Sequence, residues 1–293
     1  MAFDNAYESL IEDNDARWAF GSDFTDPLSG VDTTVPDGVD PAGLATYCLM
    51  LGDDALIMSH RLQEWVTRSP ELEDEVAVAN VALDLLGQAR LLLARAGKAD
   101  GTDRDEDALA FLRLDHEFRN VRLVEAPDAD FAHAMARLLI FSTWRLALLQ
   151  RLAESRDPVL AAIAEKGVKE VAYHRDYAAG WVVRLGDGTD LSAQRMAEGL
   201  RAVWPLVDEI FLATSVERDM AAQGVGVDPS TVRDEFDRVL DTVLAAANLE
   251  RPDVGPFGAV AGRRGREGVH TTHMGFLLAE LQSVARAYPD ATW

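Results

Sequence analysis

The chain has 293 residues, 48% of them apolar, enough for one large helical domain or two small ones with a sizeable core. Its formal charge of −22 disfavours nucleic acid and anionic membrane as primary partners, because both are polyanions. Cys48 is the single cysteine, which excludes an intrachain disulfide and a thiolate metal cluster.

Residues 1–40 carry ten acids against the single base Arg17 and show no sustained periodicity. They predict an acidic, largely disordered extension; Trp18, Phe20 and Phe24 could dock it onto a surface, and a solvated tail is the simpler reading. The start is acidic rather than basic then apolar, so no secretory signal is read and a cytoplasmic location is expected. The only lysines are Lys98, Lys166 and Lys169, and aspartate outnumbers glutamate. Adaptation to a salty cytoplasm explains both features; a GC-rich genome explains the arginine preference but not the acidity.

From Asp40-Pro41 onward the chain reads as one helical domain, 41–293. An acid or serine followed by proline, the start signal of a helix, recurs at Asp40-Pro41, Ser69-Pro70, Asp157-Pro158 and Asp228-Pro229. Helix-period apolar runs predict helices over roughly 43–67, 71–97, 104–118, 130–155, 158–185, 190–220, 229–247 and 273–287. Glycine-, proline- and aspartate-rich turns separate them, and Val121 to Val124 is the one strand-like piece. Arg137 and Arg145 interrupt the most hydrophobic run, so no membrane span is expected. Helices this long with short connections favour an antiparallel bundle.

The helix over 130–155 holds no Asp or Glu between Phe131 and Ala153. A di-iron carboxylate bundle takes a Glu from each of four core helices, with a His one turn on from two of them. The second helix offers a stripe of Asn80, Asp84, Gly87 and Leu91, an acid with no imidazole beside it. The fifth offers Lys166, Glu170, Tyr173 and Tyr177, with His174 one position round from the expected register. The first has Asp53 and Asp54 near its start. This donor set is too poor in anionic oxygen for two irons. Asp84, Glu170 and His174 therefore read as a vestigial site, closed by ion pairs and hydrogen bonds from Lys166 or Lys169, Arg90 and Tyr173. The nucleophile elbow, phosphate loop and dinucleotide fingerprint are all missing. His270 and His273, at a loop-to-helix junction, read as capping or surface residues. Arg263, Arg264 and Arg266 concentrate positive charge and are a candidate contact for an anion or an acidic partner, against the default of a solvated loop.

Several stretches carry a family resemblance: Tyr47 to Asp54, Ser59 to Trp65, Ala79 to Arg90, Asp105 to Phe111, Leu152 to Pro158, Lys169 to His174, and Gly268 through His273 to Trp293. In this order they resemble the structural C components of the phenylacetyl-CoA 1,2-epoxidase complex, within the ferritin-like superfamily. The resemblance implies an all-α, ferritin-like long antiparallel bundle with additional C-terminal helices. It implies a structural member of a monooxygenase complex in aerobic phenylacetate catabolism, without a cofactor of its own, beside a homologous subunit that carries the di-iron centre. A separate reductase fed by NADPH would supply electrons, and phenylacetyl-CoA would be the substrate of the complex. The rival expectation is a di-iron oxygenase or ferroxidase that binds its own metal through Asp84, Glu170 and His174.

Overall fold

The computed structural model describes residue 28 and residues 30–102, 104–289 and 291. Among these the regular structure is helical: α1 (Pro41–Gln63), α2 (Leu72–Ala99), α3 (Glu106–Phe111), α4 (Phe131–Leu152), α5 (Pro158–Gly186), α6 (Asp190–Val203), α7 (Ser215–Ala222), α8 (Arg233–Ala246) and α9 (Thr272–Ala287). Three of the four predicted start signals act as drawn. Asp40 accepts from the amides of Ala42 and Gly43, Asp157 from Leu160, and Asp228 from Ser230. The exception is Ser69-Pro70, since α2 begins only at Leu72.

The bundle core is two helical hairpins, α1–α2 and α4–α5, joined through α2–α5 contacts. The crossover between the hairpins runs from 100 to 130 and carries α3 and two short 3₁₀ turns. One of these, Arg122–Glu125, covers most of the segment expected to be strand-like; no strand forms among the described residues. The C-terminal helices wrap this core. α6 and α8 lie on α4 and α5, α7 lies on α1, and α9 meets α1, α3 and the crossover.

The single helix expected over 190–220 is two. Pro205 stands two residues past the end of α6, where its ring and missing N–H oppose a continued helix, and two 3₁₀ turns bridge to α7. Residues 1–27 of the expected acidic extension lie outside the described residues. Residues 30–40 lie against the bundle: Val31 and Val35 pack on the core, and Val39 is part of it. Arg95 donates 2.5 Å to the Thr33 carbonyl and also grips buried Asp157.

α4 is the axis of the core, with nearly every side chain from Ala134 to Leu149 buried. Burial at a rate of roughly 1.5–3 kcal/mol per large apolar side chain makes it a major contributor to stability. α2 is built differently. It is long and apolar enough to cross a membrane by length and composition. One side packs on α1, while Leu72, Val76 and Leu83 lie exposed on the other.

Candidate functional site at the centre of the bundle

α5 turns a buried stripe of Ile163, Gly167, Val171, His174, Ala178 and Val182 toward the core. α2 opposes it with Val78, Val81, Leu85, Gln88 and Leu92. Both stripes run close to the faces expected from sequence but not on them. His174 is buried on the inward stripe rather than displaced from it, while Tyr173 is exposed and stacks on Tyr177 at 6.4 Å. On α2 the inward polar residue is Gln88; Asn80 is exposed and Asp84 sits at the edge, its side chain 37% exposed. The cause is local: the polar character of Asn80 and Asp84 marks the boundary of the apolar stripe rather than its centre.

Four helices meet around Arg145, which α4 carries to the middle of the bundle at 1% exposure. Its Nε donates 2.9 Å to Gln88 Oε1, and Nη1 donates 3.2 Å to the Leu51 carbonyl on α1. The Gln88 amide in turn donates 2.9 Å to Glu170 Oε2, whose other oxygen lies 3.3 Å from Lys166 Nζ. Gly167 makes this crossing feasible. A Cβ there would stand 3.0 Å from Leu149 Cδ1, which would have to give by a few tenths of an ångström, and would touch the Gln88 amide group at 3.4 Å. Burial lowers the Arg145 guanidinium to about 10, against the opposing pull of Asp54.

Neighbouring acids are engaged too, the partly exposed Asp84 by an imidazole and the buried Asp53 and Asp54 by arginines. His174 Nε2 lies 3.0 Å from Asp84 Oδ2. Asp53 takes both ends of the Arg113 guanidinium and the Arg119 amide at 2.8 Å. Asp54 takes Arg266 at 3.0 and 2.8 Å and the Val121 amide at 2.8 Å. Burial raises the Asp54 carboxyl despite Arg266 beside it. Arg266 also reaches Glu217 at 3.5 Å; burial depresses its guanidinium, but Asp54 and Glu217 outweigh that and leave it raised. Beyond the centre, Glu125 gathers His270 Nδ1 at 2.6 Å and the Thr271 amide and hydroxyl at 2.7 Å, fastening the start of α9 to the crossover. His270 is therefore a buried clamp, not a surface residue.

Of the groups expected to close the site, only Lys166 meets Glu170 directly. Arg90 pairs instead with Glu106 at 2.8 Å, and Lys169 is exposed. Of the arginine cluster, Arg263 is exposed and Arg264 half-buried, whereas Arg266 is buried in the core and is no surface contact. Sequence reasoning missed Arg145 and Gln88. The signal was present, since a basic residue inside an acid-free apolar helix must find hydrogen-bond acceptors on a neighbouring element.

A di-iron centre needs four acids and two imidazoles converging on one cavity. Here α4 presents a cation in place of an acid, and the neighbouring carboxylates are each engaged by Arg, Lys, His or Gln. Among the described residues no three or more His, Cys, Asp or Glu side chains are placed to hold a metal ion. These residues do not fit two irons.

Comparison with known proteins agrees with the helical layout. A family model described as phenylacetic acid catabolic protein matches residues 32–293. The chain belongs to this family. The C component of 1,2-phenylacetyl-CoA epoxidase from Escherichia coli (strain K12) is 41% identical over 250 residues, covering 85% of this chain and 99% of that protein. The family match begins within the extended segment that packs on the bundle, ahead of α1.

Proposed function

We propose that this member of the phenylacetic acid catabolic protein family is a non-catalytic structural subunit of a multicomponent phenylacetyl-CoA 1,2-epoxidase. In this reading it pairs with a homologous subunit that carries the di-iron centre and holds that subunit in working geometry. A reductase fed by NADPH stands elsewhere in the assembly, and phenylacetyl-CoA is the substrate of the whole. The observation that carries the reading is the Arg145 guanidinium at the convergence of α1, α2, α4 and α5. A fixed positive charge there repels a metal cation and engages the hydrogen-bonding groups that would otherwise face one.

The exposed stripe of Leu72, Val76 and Leu83 on α2 supports the pairing. Large apolar side chains left outside the packing of a helix, here 70%, 54% and 61% exposed, suit an interaction face. Arg263 and Arg264 are further candidate contacts for an acidic partner or an anionic group, being accessible and adjacent.

Metal analysis of the full chain after chelation tests the central claim. Iron well below stoichiometry is expected, together with co-purification of a homologous subunit that has intact Glu-x-x-His motifs. Near-stoichiometric iron retained by this chain alone would overturn the reading in favour of a self-sufficient di-iron protein. Unchanged oxygenase activity on deletion of the chain would also end it.

A further inference from the structure

Among the described residues the core meets its buried carboxylates with arginine or histidine, and one acid departs from that habit. Asp74, in the first turn of α2, is 8% exposed and has no described cation within 4.0 Å. Its Oδ1 accepts instead from two aromatic side chains of α5, the Tyr177 hydroxyl at 2.9 Å and the Trp181 indole N–H at 3.0 Å. The carboxylate is therefore in direct line to receive the Tyr177 proton.

Tyr177 also belongs to a row of rings that reaches the surface. It stacks on Tyr173 at 6.4 Å between centroids, and Tyr173 is 52% exposed. Inward, Trp181 meets Phe131 at 5.0 Å, and Phe131 meets the buried Trp65 at 5.8 Å. Tyrosine and tryptophan are among the side chains most readily oxidised by one electron, and rings in contact pass an electron quickly. Burial, together with the bond to Asp74, pushes the Tyr177 phenol well above its ordinary value, so it keeps its proton until an electron leaves. A phenol that has lost an electron is a strong acid, and its O–H already faces the Asp74 oxygen.

We propose that Tyr177 and Asp74 form a proton-coupled radical sink. An outer-sphere one-electron oxidant gains the electron, which leaves Tyr177 across the stacked Tyr173 ring. The Tyr177 O–H bond breaks, the proton bonds to Asp74, and a neutral phenoxyl radical remains. A soluble reductant such as ascorbate returns the electron, and Asp74 returns the proton. Only the natural source of the oxidant, stray oxidation beside an oxygen-activating subunit, rests on the function proposed above; the sink itself does not.

Flash-quench oxidation of the full chain by a ruthenium(III) polypyridyl complex tests it, read by transient absorption and freeze-quench electron paramagnetic resonance. A long-lived neutral tyrosyl radical is expected, lost in Tyr177→Phe and retained in Tyr288→Phe, although Tyr288 is the more exposed ring at 64%. Asp74→Asn keeps a carbonyl oxygen for both donors but takes no proton, so it should slow radical formation about a hundredfold. Tyr173→Leu should slow it too, by lengthening the electron's path. The unaltered chain gives a readout that needs no variant: formation should be slower in D₂O and indifferent to buffer-base concentration, because the proton acceptor is internal. A radical that survives Tyr177→Phe, an Asp74→Asn or Tyr173→Leu protein that forms it as fast as the parent, or a rate that climbs with buffer base would each overturn the proposal.

Discussion

Arg145 on α4 and Gln88 on α2 meet across 2.9 Å in the middle of the bundle, and the Gln88 amide passes the contact on to Glu170 on α5. A neutral amide thus relays between a buried cation and a half-buried anion, and three helices are fixed to one another by a single side chain. The arrangement is costly to break from the cation side. Arg145→Ala leaves Gln88 and the Leu51 carbonyl without their donor and opens a cavity. We expect a loss of about 3–5 kcal/mol, measured by urea unfolding. Gln88→Leu should cost at least as much, because it strands the buried Arg145 guanidinium on a single acceptor, the Leu51 carbonyl.

Asp54 and Arg266 join α1 to the C-terminal segment, and both are buried. Arg266→Ala leaves the buried Asp54 without its cation and should lose about 3–5 kcal/mol, whereas Asp54→Ala leaves Arg266 facing Glu217 at 3.5 Å and should lose somewhat less. Replacing both together, as Asp54→Ala with Arg266→Ala, should lose less than the sum of the two single losses. A double-mutant cycle reads the coupling directly; simple additivity of the two losses would refute it.

Asp130 caps α4 and should shape the acid limb of stability. Burial alone would raise its carboxyl, but hydrogen bonds from the His133 ring and amide outweigh burial and hold it below the usual aspartate value of 3.8. A depressed folded-state value adds stability that is present above 3.8 and is lost as pH falls through the lower folded value. Asp130→Ala should therefore cost about 1 kcal/mol at neutral pH. The gap between variant and parent should close in more acidic buffer, as followed by thermal melts across the pH range.

Gly268 holds a left-handed turn at φ 75°, where an added Cβ would stand 2.2 Å from the His116 carbonyl oxygen. The turn is what brings Val269 and His270 back onto the crossover. Gly268→Ala should lose more than about 1 kcal/mol, since the strain and the clash both oppose it. Gly180, with open space around it, is the matched control in a helix, where alanine should be neutral or slightly stabilising.

Leu72 and Leu83 offer a test of the α2 face. The double variant Leu72→Asp with Leu83→Asp should leave the melting temperature of the isolated chain within a few degrees of the parent, because both side chains are exposed. The same variant should lower recovery of partner subunits in a pull-down by about tenfold or more.

Much of the architecture was legible before any coordinates. Apolar periodicity placed the long helices, and aspartate-proline pairs marked three of the starts, because both signals are local and carry their own physics. The break at Pro205 was equally local and was passed over in favour of the surrounding periodicity. The inward face of α5 was harder: a rotation of one residue, about 100°, separates the stripe through Tyr173 from the one through His174. Tyrosine suits a boundary as well as a core, so composition alone does not choose between them.

By itself the sequence determined an all-helical bundle, the missing carboxylates of α4 and the family to which the chain belongs, since each rests on residue type and spacing. Only the tertiary structure decided which charges meet. Arg145 finds Gln88 57 residues away in sequence, and Arg266 finds Asp54 212 residues away. Such pairings follow from how the helices pack, because a buried charge is satisfied by whichever neighbour the fold delivers, not by the residues beside it in the chain.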